Sequence, residues 1–204
     1  MGGKKTTLFN TTKNITIKDT DTNEIESMDL ETYIIGVVAA EMPASFNEEA
    51  LKAQAVASRT YAVYKMQTST GNYDVVTDVS NQSYITIDEM KNKWMNDYNF
   101  YYQKIVKAVT DTKGQIMKYE DKIIEAYYFA MSNGYTEDVS LVFSEDRDYL
   151  QSVKSIYEDE SIKNFEVTKE IVDTFIATKP ATIDRYLRRI DKIIKYENGE
   201  YNEL

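Results

Sequence analysis

Residues 30–43 read Leu-Glu-Thr-Tyr-Ile-Ile-Gly-Val-Val-Ala-Ala-Glu-Met-Pro. No other stretch constrains the fold as much. An apolar helical pattern runs from Leu30 to Ala40. Pro43 ends it, because proline has no N–H to give and its ring clashes with the preceding turn. Glu41 is left as one carboxylate at the end of a mostly apolar element. Burial there would disfavour the charged form and raise its pKa. A carboxylic acid kept protonated near neutral pH can act as a general acid. The competing reading is a solvated glutamate at a helix end, and position alone favours it.

The chain has 204 residues, which suits one domain with or without an extended arm. It carries 34 acidic and 24 basic residues, a net charge of −10. Nucleic-acid phosphates need Lys and Arg to neutralise them, so a nucleic-acid partner is not expected. A neutral ligand such as a glycan fits this charge. Cysteine and histidine are both absent. That removes disulfides, thiol nucleophiles, Ser-His-Asp triads and the common zinc ligands, so acid–base chemistry must use carboxylates, Tyr or Lys. No cofactor and no metal site are expected. No run approaches the roughly 20 apolar residues that span a bilayer. Residues 1–5 lack a signal-peptide apolar core and read as a leader added for expression.

Residues 14–18 alternate as a strand does, and 19–23 offer turn residues. Asp29 is a plausible N-cap for a helix over 30–40. Ser45 with Glu48 matches a capping box opening a helix over 47–65, and Thr86 with Glu89 matches another, for a helix through Trp94. A further helix is expected over 99–111, ended at Thr112-Lys113-Gly114. Two strands, 115–119 and 123–129, should meet at a tight turn of Glu120 and Asp121. Beyond Tyr157 the pattern predicts helices over 167–177 and 183–189. Asn198-Gly199 predicts a hairpin pairing 192–196 with 200–204. Helices and hairpins without regular βαβ alternation imply an α+β fold, with helices packed on short antiparallel hairpins.

Lys52 and Arg59 stand seven apart on one helix and share a face. With Glu41 they make either a substrate cleft of one acid and two cations or an ordinary solvated helix face. Residues 127–137 place Ser132, Asn133, Thr136 and Glu137 after a strand end. The hydroxyl and amide groups of Ser132, Asn133 and Thr136 suit sugar hydroxyls and acetamido groups, and an ordinary polar strand-end loop is the competing reading. Seventeen tyrosines are many for this length. Tyr84, Tyr128 and Tyr135 lie nearest the motifs, where a ring can stack on sugar or fill core.

The run LETYIIGVVAAEMPASFNEEALKAQAVASRTYA strongly resembles the core motif of the stage II sporulation protein D family. TDTKGQIMKYEDKIIEAYYFAMSNGYTED resembles its second block and YLQSVKS its third, so the resemblance covers roughly residues 28–155. It implies that residues 1–204 form one catalytic domain acting as a peptidoglycan lytic transglycosylase with Glu41 as its single acid/base. The muramic acid C6 hydroxyl attacks C1, leaving a 1,6-anhydro product from peptide-stripped strands during engulfment. Implied substrate-binding residues are Lys52, Arg59, Gln82, Tyr84, Tyr128, Ser132, Asn133, Thr136 and Glu137. Implied partners are the amidase stage II sporulation protein P and the membrane protein stage II sporulation protein M. The implied location is extracytoplasmic, with a membrane anchor outside this chain. Many relatives carry His where Phe129 stands, and some carry Cys near 78–82, which again argues against zinc here. The same motif resembles amidase enhancers, so a non-catalytic enhancer or glycan-binding module is the alternative.

Overall fold

Strand and helix meet at Asp29, and that junction organises the first half of the chain. The computed structural model describes residues 7–8, 13–130, 132, 134–143 and 146–155. A short strand β1 (Thr7–Leu8) precedes β2 (Asn14–Lys18) and β3 (Ile25–Asp29). Ile15 and Ile17 turn into the core while Thr16 and Lys18 stay partly open, the period of two of a half-covered strand. Asp19 shapes the turn: its carboxylate accepts from the amides of Asp21 and Thr22 at 2.9 and 2.7 Å. Asn23 closes the turn at φ 62°, a left-handed conformation that Asn tolerates. β3 pairs antiparallel with β2, Ile15 opposite Met28. β3 is an edge strand, open except at Met28, which explains why its sequence shows no alternation. On the other side β4 (Val75–Val76) runs parallel to β2, with Val75 opposite Ile17.

α1 (Leu30–Glu41) begins where the Asp29 carboxylate accepts from Thr32 N at 3.0 Å. Its buried positions include Tyr33, Ile34, Val37 and Val38, on faces all around the helix, as a central helix requires. α2 (Glu48–Thr68) packs on it. The cap of α2 is Asn47, which accepts from Glu49 N at 2.9 Å, and not Ser45. Residues 43–46 form a turn, with Phe46 N donating to Pro43 O at 3.0 Å. The helix therefore starts two residues later than the capping-box pattern implies, and Glu48 becomes its first residue.

α3 (Ile87–Trp94) has the expected capping box of Thr86 and Glu89. A 3-10 turn at Met95–Asp97 leads into α4 (Tyr98–Asp111), which packs on α1 and α2. Gly114, at φ 75°, then reverses the chain. The expected 115–119 strand divides into β5 (Gln115–Ile116), which pairs with β1, and β6 (Lys118–Tyr119). β6 pairs with β7 (Lys122–Ile123) across Glu120 and Asp121, both at positive φ as a tight hairpin turn requires. No strand continues over 124–129. That segment is held by side chains: Lys65 bonds Glu125 at 2.6 Å, and Glu125 is buried.

Met1–Tyr128 forms one compact unit and Phe129–Leu204 a second. In the second, Tyr135 and Lys154 form an antiparallel bridge and α5 (Val139–Phe143) is a single short helix. The helices and hairpin expected beyond Tyr157 lie outside the described residues. The class is α+β as the pattern implies, with the parallel β2–β4 pair as an unforeseen addition. Among the described residues no helix is long and apolar enough to cross a membrane.

Candidate functional site at the end of the first helix

α1 stops at Glu41: Met42 is extended, and its N–H returns to Val38 O at 3.1 Å. Two lysines hold this end of the chain, one on the last turn of α1 and one on the turn that follows. Lys93 donates to Ala39 O at 2.9 Å, and Lys104 donates to Ala44 O at 3.0 Å. Cations on carbonyls at a helix C-terminus complement the helix dipole. Glu41 is thus the last residue of a rigid, buried helix, and it is itself only half-buried.

A second segment, 82–85, is laid against α1 at Gly36. A Cβ on Gly36 would sit 2.2 Å from Tyr84 Cε2 and 2.9 Å from Ile85 O, so only glycine admits this approach. Tyr84 stacks on Tyr33 at 5.6 Å between ring centroids, 9° from parallel. The Tyr33 hydroxyl donates to Gln82 Oε1 at 3.3 Å. This segment delivers the Ser83 amide to Glu41, donating to Oε1 at 2.7 Å.

α2 supplies the opposite wall. Gln82 Nε2 donates to the Ser58 carbonyl at 3.3 Å and to the Tyr128 hydroxyl at 3.2 Å. Gln54 Nε2 donates to Ser58 Oγ at 3.0 Å. The Tyr128 hydroxyl, which accepts from Gln82, lies close enough to the Glu41 carboxylate to feel its charge. Burial, then the charge of Glu41, holds the Tyr128 phenol protonated well above the ordinary tyrosine range. Burial does the same to Tyr33, with the neighbouring phenols and Glu41 adding to it. The result is a carboxyl group that accepts from a backbone amide, with a neutral phenol nearby. Such a group can exchange a proton with a bound ligand without a metal or histidine.

Residues 18–119, half of the chain, match the family model described as Stage II sporulation protein. The chain belongs to the stage II sporulation protein D family. It is 39% identical over 166 residues to Stage II sporulation protein D of Bacillus amyloliquefaciens, covering 79% of this chain and 48% of that relative. For Stage II sporulation protein D of Bacillus subtilis (strain 168) the identity is 40% over 160 residues, covering 76% and 46%. The Amidase enhancer of Bacillus subtilis (strain 168) is 33% identical over 149 residues, 72% of this chain and 19% of the enhancer. The chain spans about half the length of the curated sporulation relatives it matches.

Within this sporulation family member the expected cleft cations have other work. Arg59 is fully buried. Its Nε and Nη2 bind Glu31 at 3.0 and 2.7 Å, its Nη1 donates to Ala55 O and Gln115 O, and Nη2 also donates to Val109 O. Those bonds use all five guanidinium donors, so Arg59 is a structural tie between α1, α2, α4 and β5 rather than a ligand for substrate. Lys52 meets Glu48, Glu49 and Asp111 at 3.0–3.2 Å, and its three donors are likewise matched. The two residues are seven apart on α2 but do not serve one cleft, because the helix face between them passes from open surface to core.

Gln82 is a buried link rather than a cleft border, and Tyr84 is half-buried on Gly36. Tyr128 lies near Glu41 and accepts from Gln82. Ser132, Thr136 and Glu137 belong to the second unit. There Ser132 Oγ accepts from Gly134 N at 3.1 Å, Thr136 Oγ1 donates to Gln151 O at 3.1 Å, and Glu137 is exposed. Asn133 lies outside the described residues. The sequence reading missed Tyr33, Ser58 and Ser83. Only Ser58 had a usable signal, since Gln54 and Ser58 are polar residues four apart on a helix whose neighbours are apolar.

Proposed function

We propose that this family member cleaves peptidoglycan glycan strands by lytic transglycosylation, with Glu41 as the acid/base. One observation carries the reading: Glu41 ends a buried helix half-open to solvent, its carboxyl group held by the Ser83 amide. As the bond from C1 to the leaving N-acetylglucosamine oxygen breaks, Glu41 gives that oxygen its proton. The C6 hydroxyl of the same muramic acid bonds to C1, and Glu41 takes the hydroxyl proton. No water enters, so one carboxyl suffices where ordinary glycosidases use two. Peptide-stripped strands, an amidase partner and a membrane-anchored assembly outside the cytoplasm extend this proposal to the whole protein.

Incubation with stripped glycan should release anhydromuramic ends, read by mass spectrometry. Products heavier by one water would mean hydrolysis and would exclude transglycosylation.

The Amidase enhancer relative supports a second reading, in which the same surface stimulates a separate amidase. The Glu41→Gln variant separates the two. It should abolish bond cleavage, whereas stimulation of an added cell-wall amidase would survive it if enhancement is the activity.

A further inference from the structure

The Ser83 N–H on Glu41 belongs to a segment pinned on both sides. On one side Tyr84 lies on Gly36 and stacks on Tyr33, and Ile85 N donates to Gly36 O at 3.4 Å. On the other side is Gln82, only 1% exposed. The Ser58 carbonyl can only accept, so the Gln82 group facing it is the amide nitrogen. The second hydrogen of that nitrogen goes to the Tyr128 oxygen at 3.2 Å, and Oε1 accepts from the Tyr33 hydroxyl at 3.3 Å. Turning the amide over would set its oxygen against the Ser58 carbonyl. One buried side chain therefore reaches α1, α2 and residue 128 in a single orientation. All of these residues lie within the first compact unit.

We propose that Gln82 is the positioning residue of this site: its buried amide, tied to Tyr33, Ser58 and Tyr128, holds the backbone N–H of the next residue on Glu41 Oε1 and so fixes the carboxyl group that faces the glycan. The assignment rests on Glu41 being the acid/base, and Gln82 touches the reaction only through that residue. The carbonyl oxygen of a carboxylic acid is its better acceptor. With Oε1 accepting from Ser83, the proton of the acid sits on Oε2, which becomes the oxygen that gives and takes it. Gln82 itself is too deeply buried to bind a ligand, so its loss acts on orientation.

Two measurements test it. Gln82→Met keeps the length of the side chain and removes the amide. A folded Gln82→Met protein should lose about 10–100-fold in kcat on stripped glycan, with KM within about twofold, since orientation rather than binding is lost. Wild-type kcat, or a loss carried by KM alone, would overturn the proposal. The second uses no turnover: the Ser83 amide proton resonance is followed as pH falls. In the wild type it should move as Glu41 takes up a proton, because a charged acceptor draws an amide hydrogen more strongly than a neutral one. In Gln82→Met that movement should shrink to about half or less, as the amide leaves the carboxylate. An unmoved wild-type resonance, or equal movement in both proteins, would overturn the proposal. Tyr33→Phe removes one of the three bonds and keeps the ring; it is read in the same way if Gln82→Met does not fold. A wild-type protein that cleaves no glycan would sink the transglycosylase reading instead, and the resonance would still decide whether Gln82 holds the Ser83 amide on Glu41.

Discussion

The two ends of α1 each carry a glutamate, and the fold treats them in opposite ways. Glu31, in the first turn, is buried and paired with the fully buried Arg59. Glu41, the last residue, is half-open, and among the described residues its carboxylate accepts from the Ser83 amide and forms no ion pair with a cation. The first carboxylate is consumed in tying α1 to α2 through a buried guanidinium. The second stays at a solvent boundary, where a ligand can reach it. The lesson is that a carboxylate's partners, and not burial alone, separate a structural glutamate from an available one.

The largest effect should come from breaking the Glu31 end. Arg59→Ala leaves a buried charge and orphaned carbonyls at Val109 and Gln115, so it should cost about 3–5 kcal/mol by denaturant unfolding. A loss below about 1 kcal/mol would mean the pair is dispensable. Next comes the segment that serves the Glu41 end. Gly36→Ala places a methyl against Tyr84 and the Ile85 carbonyl, at about 1–3 kcal/mol, outweighing alanine's better helix propensity. It should also lower activity by displacing Ser83. An unchanged melting temperature would show that Tyr84 can move aside freely.

A third test uses pH. Burial raises the phenol pKa values of Tyr33, Tyr61, Tyr84 and Tyr128 in the folded chain. Above the ordinary value of about 10 the unfolded chain gives up protons that the folded chain keeps. Stability contributed by these phenols is complete below that pH and should fall as pH rises toward the folded values. Tyr33→Phe should flatten the alkaline limb of a plot of unfolding free energy against pH; an identical limb would contradict the assignment. The smallest effect belongs to the exposed network. Lys52→Ala should lower stability least of these variants, a loss reduced by added salt, because open ion pairs are weak.

Much of the first unit was legible in the sequence because local chemistry decides it there. Asp29 and Thr86 cap the helices they precede, and positive φ falls on the Glu120-Asp121 turn. The cap of α2 was misplaced because Ser45 and Asn47 compete, and the Pro43 turn settles the contest. β3 was invisible because an exposed edge strand needs no apolar alternation. In the site, Arg59 was read as a cleft cation. A helical wheel places residues on a face but does not show which faces close over them, and Arg59's partner lies 28 residues away. Gln82 was named for the wrong reason: its burial depends on the 82–85 segment crossing Gly36, a contact no local pattern reveals.

The contrast between the two glutamates is tested most directly by making the same change at both ends. Glu31→Gln and Glu41→Gln are compared by circular dichroism melting and by mass spectrometry of stripped glycan. The account predicts that Glu31→Gln loses stability, while Glu41→Gln melts as wild type and releases at least about 100-fold less anhydromuramic product. A folded Glu41→Gln protein that still makes the product at the wild-type rate would contradict the account.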